Sequence, residues 1–113
     1  MEGIRIQVEV NDKGEQELIA TDARSLLDEG NDALARGEGE EALTAYARLL
    51  QDFPDSALVS AALFNAGLAH EGMEQYDDAL RRYDDLAQSD PTSEEARDAM
   101  LRAAAVAAEL ERW

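Results

Sequence analysis

Displaced by 37 residues, the second half of this chain falls on the first. Leu26 lands on Leu63, Gly30 on Gly67, Ala42 on Ala79, Leu43 on Leu80, Tyr46 on Tyr83, Leu49 on Leu86, Pro54 on Pro91 and Ser56 on Ser93. A third copy starts with Met100, Ala104, Ala107 and Leu110 in the places of Leu63, Gly67, His70 and Met73, and stops at Trp113, the equivalent of Tyr76. A fixed period of this length constrains the fold more than any local propensity, because each copy is one supersecondary unit that buries its apolar face by stacking on the next. The chain therefore holds two and a half units.

Local signals divide each unit into two helices. The first helix is expected over residues 22–36, stopped by Gly37 to Gly39, and the second over 40–52, ending before Pro54, since the residue preceding proline is pushed out of helical geometry. Asp55 and Ser56 offer N-caps for a third helix that ends near Gly72. A fourth is expected over 75–88, and Thr92 with Glu95 forms a capping-box pattern opening a fifth that runs to about 112. Loops this short force neighbouring helices to lie antiparallel. Gly30 and Gly67 stand in mid-helix, where glycine costs roughly 1 kcal/mol relative to alanine. The expected compensation is close approach of the partner helix at Ala42 or Ala79, with the tyrosines filling the flanking gaps.

These residues resemble the tetratricopeptide repeat (TPR). Leu63, Gly67, Tyr76, Ala79, Tyr83 and Pro91 match its pattern over residues 60–91, and Leu26, Gly30, Ala42, Tyr46 and Pro54 over 23–54. Departures are Gly39 in the place of Tyr76, Ala33 and His70 where tyrosine is common, and a spacing of 37 instead of 34. The longer spacing, with Phe53-Pro54-Asp55-Ser56 after the second helix, looks like the TPRs of bacterial envelope-assembly proteins, which implies a soluble protein of the bacterial cytoplasm or periplasm. The resemblance implies an all-α fold, an α-α superhelix of two and a half helix pairs. Residues 21–113 form the TPR domain, with repeat 1 at about 22–55, repeat 2 at about 56–92 and a final helix at about 93–112, preceded by a strand-like segment or tail at 1–20.

In that family the first helix of each pair lines the concave surface, where ligands bind. The resemblance implies a partner-binding groove of Leu27, Asn31 and Leu34 from the first unit, Ala61, Phe64, Asn65 and Leu68 from the second, and Leu101 and Arg102 from the fifth helix, beside Asp98. In the chaperone-binding subset five residues clamp a C-terminal carboxylate. Asn31, Asn65 and Arg102 fall on three of those places, but Leu27 and Asp98 occupy the two that are lysines, so an acidic chaperone tail is a poor ligand.

The ends of the chain read differently. Ile4, Ile6, Val8 and Val10 alternate with Arg5, Gln7 and Glu9, which is strand periodicity, and Asn11-Asp12-Lys13-Gly14 is placed to turn the chain into a hairpin with the segment 15–20. A lone hairpin is marginal in water, so it packs on the helices, pairs with another chain by strand addition, or is a mobile tail. Residues 103–108 are uncharged all the way round a helix; alanine is tolerated at a surface, or this face meets a second subunit or further repeats.

Composition removes whole classes of function. With 26 acidic and 10 basic residues among 113, the net charge is -16 and the pI about 4.1, which repels phosphate backbones, so nucleic acid is excluded as a partner. No membrane-spanning run and no basic-then-apolar leader is seen, which predicts no direct membrane insertion and no signal peptide. One histidine and no cysteine leave neither a His-His metal motif nor a thiol nucleophile. His70 sits at a helix-packing position. Asp77 and Asp78 stand at i,i+4 spacing from Arg81 and Arg82, the pattern of a solvated face. No catalytic arrangement, metal or cofactor is expected. The expected function is a non-enzymatic protein-interaction scaffold that takes a neutral or basic partner segment in the groove. The alternative is a homo-oligomer joined through the N-terminal strand or the alanine-rich final helix.

Overall fold

The computed structural model describes residues 3–10 and 16–111. Among the described residues, five helices follow a two-stranded antiparallel sheet: β1 (Ile4–Val10), β2 (Gln16–Asp22), α1 (Ala23–Ala35), α2 (Gly39–Asp52), α3 (Val59–Gly72), α4 (Tyr76–Ser89) and α5 (Glu94–Leu110). Ile4 pairs with Asp22 and Ile6 with Ala20. The expected turn residues 11–14 lie outside the described residues, as does Trp113. β2 leads straight into α1. Asp22 closes the strand and caps the helix, its carboxylate accepting from the Ser25 amide at 2.8 Å and the Ser25 hydroxyl at 2.7 Å. These bonds hold its carboxyl below the usual carboxylate range. Beyond this junction, the hairpin's main contact with the helices is that of β2 with α1.

The two helix pairs repeat in their turns as well as their helices. The α1–α2 turn bonds Gly37 N–H to Leu34 C=O (3.0 Å) and Glu38 N–H to Ala33 C=O (2.9 Å). The α3–α4 turn bonds Glu74 to Glu71 (2.9 Å) and Gln75 to His70 (2.8 Å). This paired closure of helix carbonyls requires one left-handed residue. Gly37 supplies it at φ 77°, and Glu74 supplies it at φ 59° in the second unit.

Capping departs from expectation at both inter-unit connectors. Ser93, in extended conformation, caps α5 by accepting from the Ala96 amide at 3.0 Å, so the capping residue is one later than the Thr92 that the sequence pattern suggested. α3 begins at Val59 without a side-chain cap, because Asp55 and Ser56 sit in the preceding turns, where the Ser56 hydroxyl accepts from the Leu58 amide at 3.0 Å. On α4 the described ion pair is Asp78 with Arg81 at 3.5 Å, at i,i+3 instead of the expected i,i+4.

α3 is the hub. Ala62, Ala66 and Ala69 pack with Leu26, Leu27, Tyr46 and Leu49 of the first pair, while Leu63 packs with Tyr83, Leu86, Ala99 and Val106 of the second pair and α5. A helix buried on two sides has no single apolar stripe, which is why no Asp, Glu, Lys or Arg occurs from residue 57 until Glu71.

The mid-helix glycines answer to tyrosine instead of alanine. A Cβ built on Gly30 would stand 2.3 Å from Tyr46 Cε1, and one on Gly67 2.3 Å from Tyr83 Cε1. Real Cβ atoms do not approach that closely, so each glycine is a notch for the ring of its own unit's second helix. Both rings are 0–1% exposed, beside fully buried Ala42 and Ala79.

Candidate functional site

The first helices of successive units lie side by side, α1 against α3 and α3 against α5. Along this wall each unit is fastened to the next by the same three-part connection. In the first, Tyr46 Oη donates to Asn31 Oδ1 at 2.7 Å, and Asn65 Nδ2 donates to the same oxygen at 2.8 Å. In the second, Tyr83 Oη donates to Glu71 Oε2, while Arg102 holds the same carboxylate through Nε to Oε2 at 3.2 Å and Nη2 to Oε1. Asn65 and Arg102 are 37-residue equivalents, as are Tyr46 and Tyr83. The notch tyrosine therefore reaches an acceptor on its own first helix, and that acceptor is shared with the next unit.

The two connections differ in charge. Unit 1 uses neutral amides, and unit 2 a carboxylate and a guanidinium. Burial pushes the Tyr46 phenol up to about 12, an effect the Asn65 amide reduces. Burial first, then the hydrogen bond and charge of Glu71, push Tyr83 up as well. Glu71 in turn raises Arg102. A similar rewriting occurs at the outer ends of the helices. Buried Ala23 and Phe53 of the first unit become Ser60 and Asp90, joined by a 2.7 Å hydrogen bond.

The groove residues named from sequence divide three ways. Leu27 is 4% exposed and belongs to the core. Asn31, Asn65 and Arg102 are engaged in the connections, although Asn31 Nδ2 and Asn65 Oδ1 take no part in that pair. Leu34, Ala61, Phe64 and Leu68 are half-buried, and Leu101 is exposed. Phe64 packs on Tyr83, ring centroids 5.9 Å apart and planes inclined by 41°, so it supports the second core as well as facing outward. At the α5 end the wall opens into a cleft of about 400 Å³ between Glu71 of α3, Tyr76 of α4 and the α5 residues Arg102, Ala105, Val106, Ala108 and Glu109. Asp98 is exposed beyond it.

Sequence reading missed Glu71 as an organising residue. The available signal was that it is the only acidic side chain in α3, a charge at a place otherwise reserved for packing. Among the described residues no group of three or more His, Asp or Glu side chains is arranged to hold a metal ion, and no helix is long and apolar enough to cross a membrane. His70 Nδ1 lies 2.8 Å from Gln75 Oε1 at the α3–α4 turn, where it ties down the helix end.

Comparison with known proteins adds the family and overturns one expectation. The tetratricopeptide repeat profile matches residues 23–56 and 61–93. Among curated proteins, the chain is 42% identical over 65 residues to ER membrane protein complex subunit 2 of Xenopus tropicalis, covering 58% of this chain and 21% of that one. It is 40% identical over the same length to subunit 2-B of Xenopus laevis. The chain thus spans about a fifth of the length of the curated relatives it matches. These relatives are eukaryotic, and they overturn the expectation of a bacterial envelope-type protein in the bacterial cytoplasm or periplasm. The features behind that expectation, the 37-residue spacing and the Phe53-Pro54-Asp55-Ser56 connector, set how one helix pair follows another and carry no information about a compartment.

Proposed function

The chain belongs to the tetratricopeptide repeat family, and from that premise we propose that it is a non-enzymatic scaffold whose wall of first helices takes an extended or helical segment of a partner protein. The observation that carries this reading is the Asn31–Asn65 pair. One oxygen and one nitrogen lock two repeats together, which leaves Asn31 Nδ2 to donate and Asn65 Oδ1 to accept from a bound backbone. Both amides are pre-oriented by their shared bond, so little rotamer freedom is lost on binding. Half-buried Leu34 and Leu68 flank them and supply apolar contact. The relatives are named as subunits of a multi-protein complex, in keeping with repeats that seat against other chains.

The occupant is neutral or basic. A body carrying -16 attracts cations and speeds their encounter, with an effect that fades as salt is added. Arg102 does not argue for an acidic ligand, because its guanidinium already faces Glu71. The test uses a basic, leucine-containing peptide selected from a random display library. Leu68→Glu should weaken its binding about tenfold or more, the scale of 1.4 kcal/mol, with helix content unchanged. Phe64 is a poor choice for this test because its loss disturbs Tyr83. Undiminished binding by the Leu68 variant moves the site off this wall. A second reading, self-association, is favoured by a different surface, the bare outer face of α5.

A further inference from the structure

Each unit's first helix has a face that its own second helix covers. On α1 that face is Leu26, Gly30 and Ala33, all buried, and on α3 Leu63 and Gly67 are buried in the same way. The 37-residue equivalents on α5 are Met100, Ala104 and Ala107. All three are exposed, Met100 at 64%, with Leu101 beside them at 69%. We propose that this face is covered by α5 of a second copy of the chain, packed antiparallel across a two-fold axis at Ala104.

Three observations select that occupant. The same face is covered twice within this chain by an antiparallel helix, so a helix is the shape that fits. The covering helix cannot repeat the notch arrangement, since Ala104 already carries the Cβ that at Gly30 and Gly67 would stand 2.3 Å from a tyrosine ring. It must instead present a small residue opposite position 104, as α5 itself does. Finally, α5 is complementary to its own reverse. With Ala104 opposite Ala104, Met100 falls opposite Ala108 and Leu101 opposite Ala107, so large side chains at one end meet small ones at the other. The same register sets exposed Arg97 opposite exposed Glu111 at both ends. A two-fold contact requires such self-complementarity, and paired opposite charges offset part of the repulsion between two acidic bodies.

The chain has no cysteine, so an introduced one reports the contact directly. At about 0.15 M ionic strength, where the Debye length of about 8 Å screens long-range repulsion, Ala104→Cys should oxidise to a covalent dimer. Ala105→Cys, one residue round the helix on an exposed position, should remain monomeric. Sedimentation should show a concentration-dependent dimer that Ala104→Glu and Arg97→Glu weaken at unchanged helix content, and that Arg97→Glu combined with Glu111→Arg recovers. Equal oxidation at 104 and 105, failure of the charge exchange to recover the dimer, or a strict monomer at millimolar concentration would overturn the proposal. The last outcome would assign the face to a helix from a different chain or a further repeat.

Discussion

The ring of Tyr83 occupies the space a side chain on Gly67 would need, with Cε1 2.3 Å from the position of the missing Cβ. Helix propensity alone predicts that Gly67→Ala stabilises by about 1 kcal/mol. Packing predicts the reverse, because an extra carbon forced into a filled core costs about 1–3 kcal/mol. Gly67→Ala should therefore destabilise the wild type, yet become neutral or stabilising in a Tyr83→Leu background, where the shorter side chain vacates the notch. Urea unfolding of the four proteins checks this change of sign.

The Tyr83–Glu71–Arg102 connection is asymmetric in burial. Glu71 is 12% exposed and Arg102 48%. Glu71→Ala strands the buried Tyr83 hydroxyl, at a cost of about 1–3 kcal/mol. Arg102→Ala removes a half-solvated ion pair worth about 0–1 kcal/mol. The glutamate variant should be clearly the less stable in thermal unfolding, and Tyr83→Phe should reduce the difference.

Alkaline pH tests the same tyrosines. Both are raised by burial above the ordinary value near 10, Tyr46 to about 12. A group whose folded value is raised contributes stability that is complete below the unfolded value and is lost as pH climbs toward the folded one. Melting temperatures should hold up to about pH 10 and fall between there and about 12, with phenolate absorbance from Tyr46 and Tyr83 appearing together with loss of helix. Ionisation of all tyrosines near pH 10 with helix intact would contradict their burial.

Glu74 holds the left-handed position that Gly37 holds in the first unit. A residue with a Cβ is less stable there by about 1–2 kcal/mol, so Glu74→Gly should stabilise the domain by about 1 kcal/mol after the flexibility gained by the unfolded chain. Gly37→Ala should lose a comparable amount. Melting temperatures of the pair decide it.

Legibility from sequence followed the kind of interaction. The repeat, the five helices and their antiparallel pairing were readable because apolar spacing and proline breaks act locally. Gly67 reads from sequence as a match for Ala79 because Ala79 and Tyr83 stand four residues apart on one face of α4, and spacing does not say that the Tyr83 ring is what fills the notch. The connections at Asn31–Asn65 and Glu71–Arg102 join residues more than 30 positions apart, and no periodicity indicates which polar side chains meet across units. The helix caps were off by a residue or more because Thr92 and Ser93 are chemically equivalent candidates, separated only by which one adopts the extended backbone.

The most direct test of the binding wall follows the side-chain amide resonances of Asn31 and Asn65 by NMR while the selected basic peptide is added. Shifts concentrated on those two amides and on the backbone of Leu34 and Leu68 are the predicted result. Shifts confined to the outer faces of α2 and α4 or to the hairpin, with both asparagine amides unmoved, would contradict it.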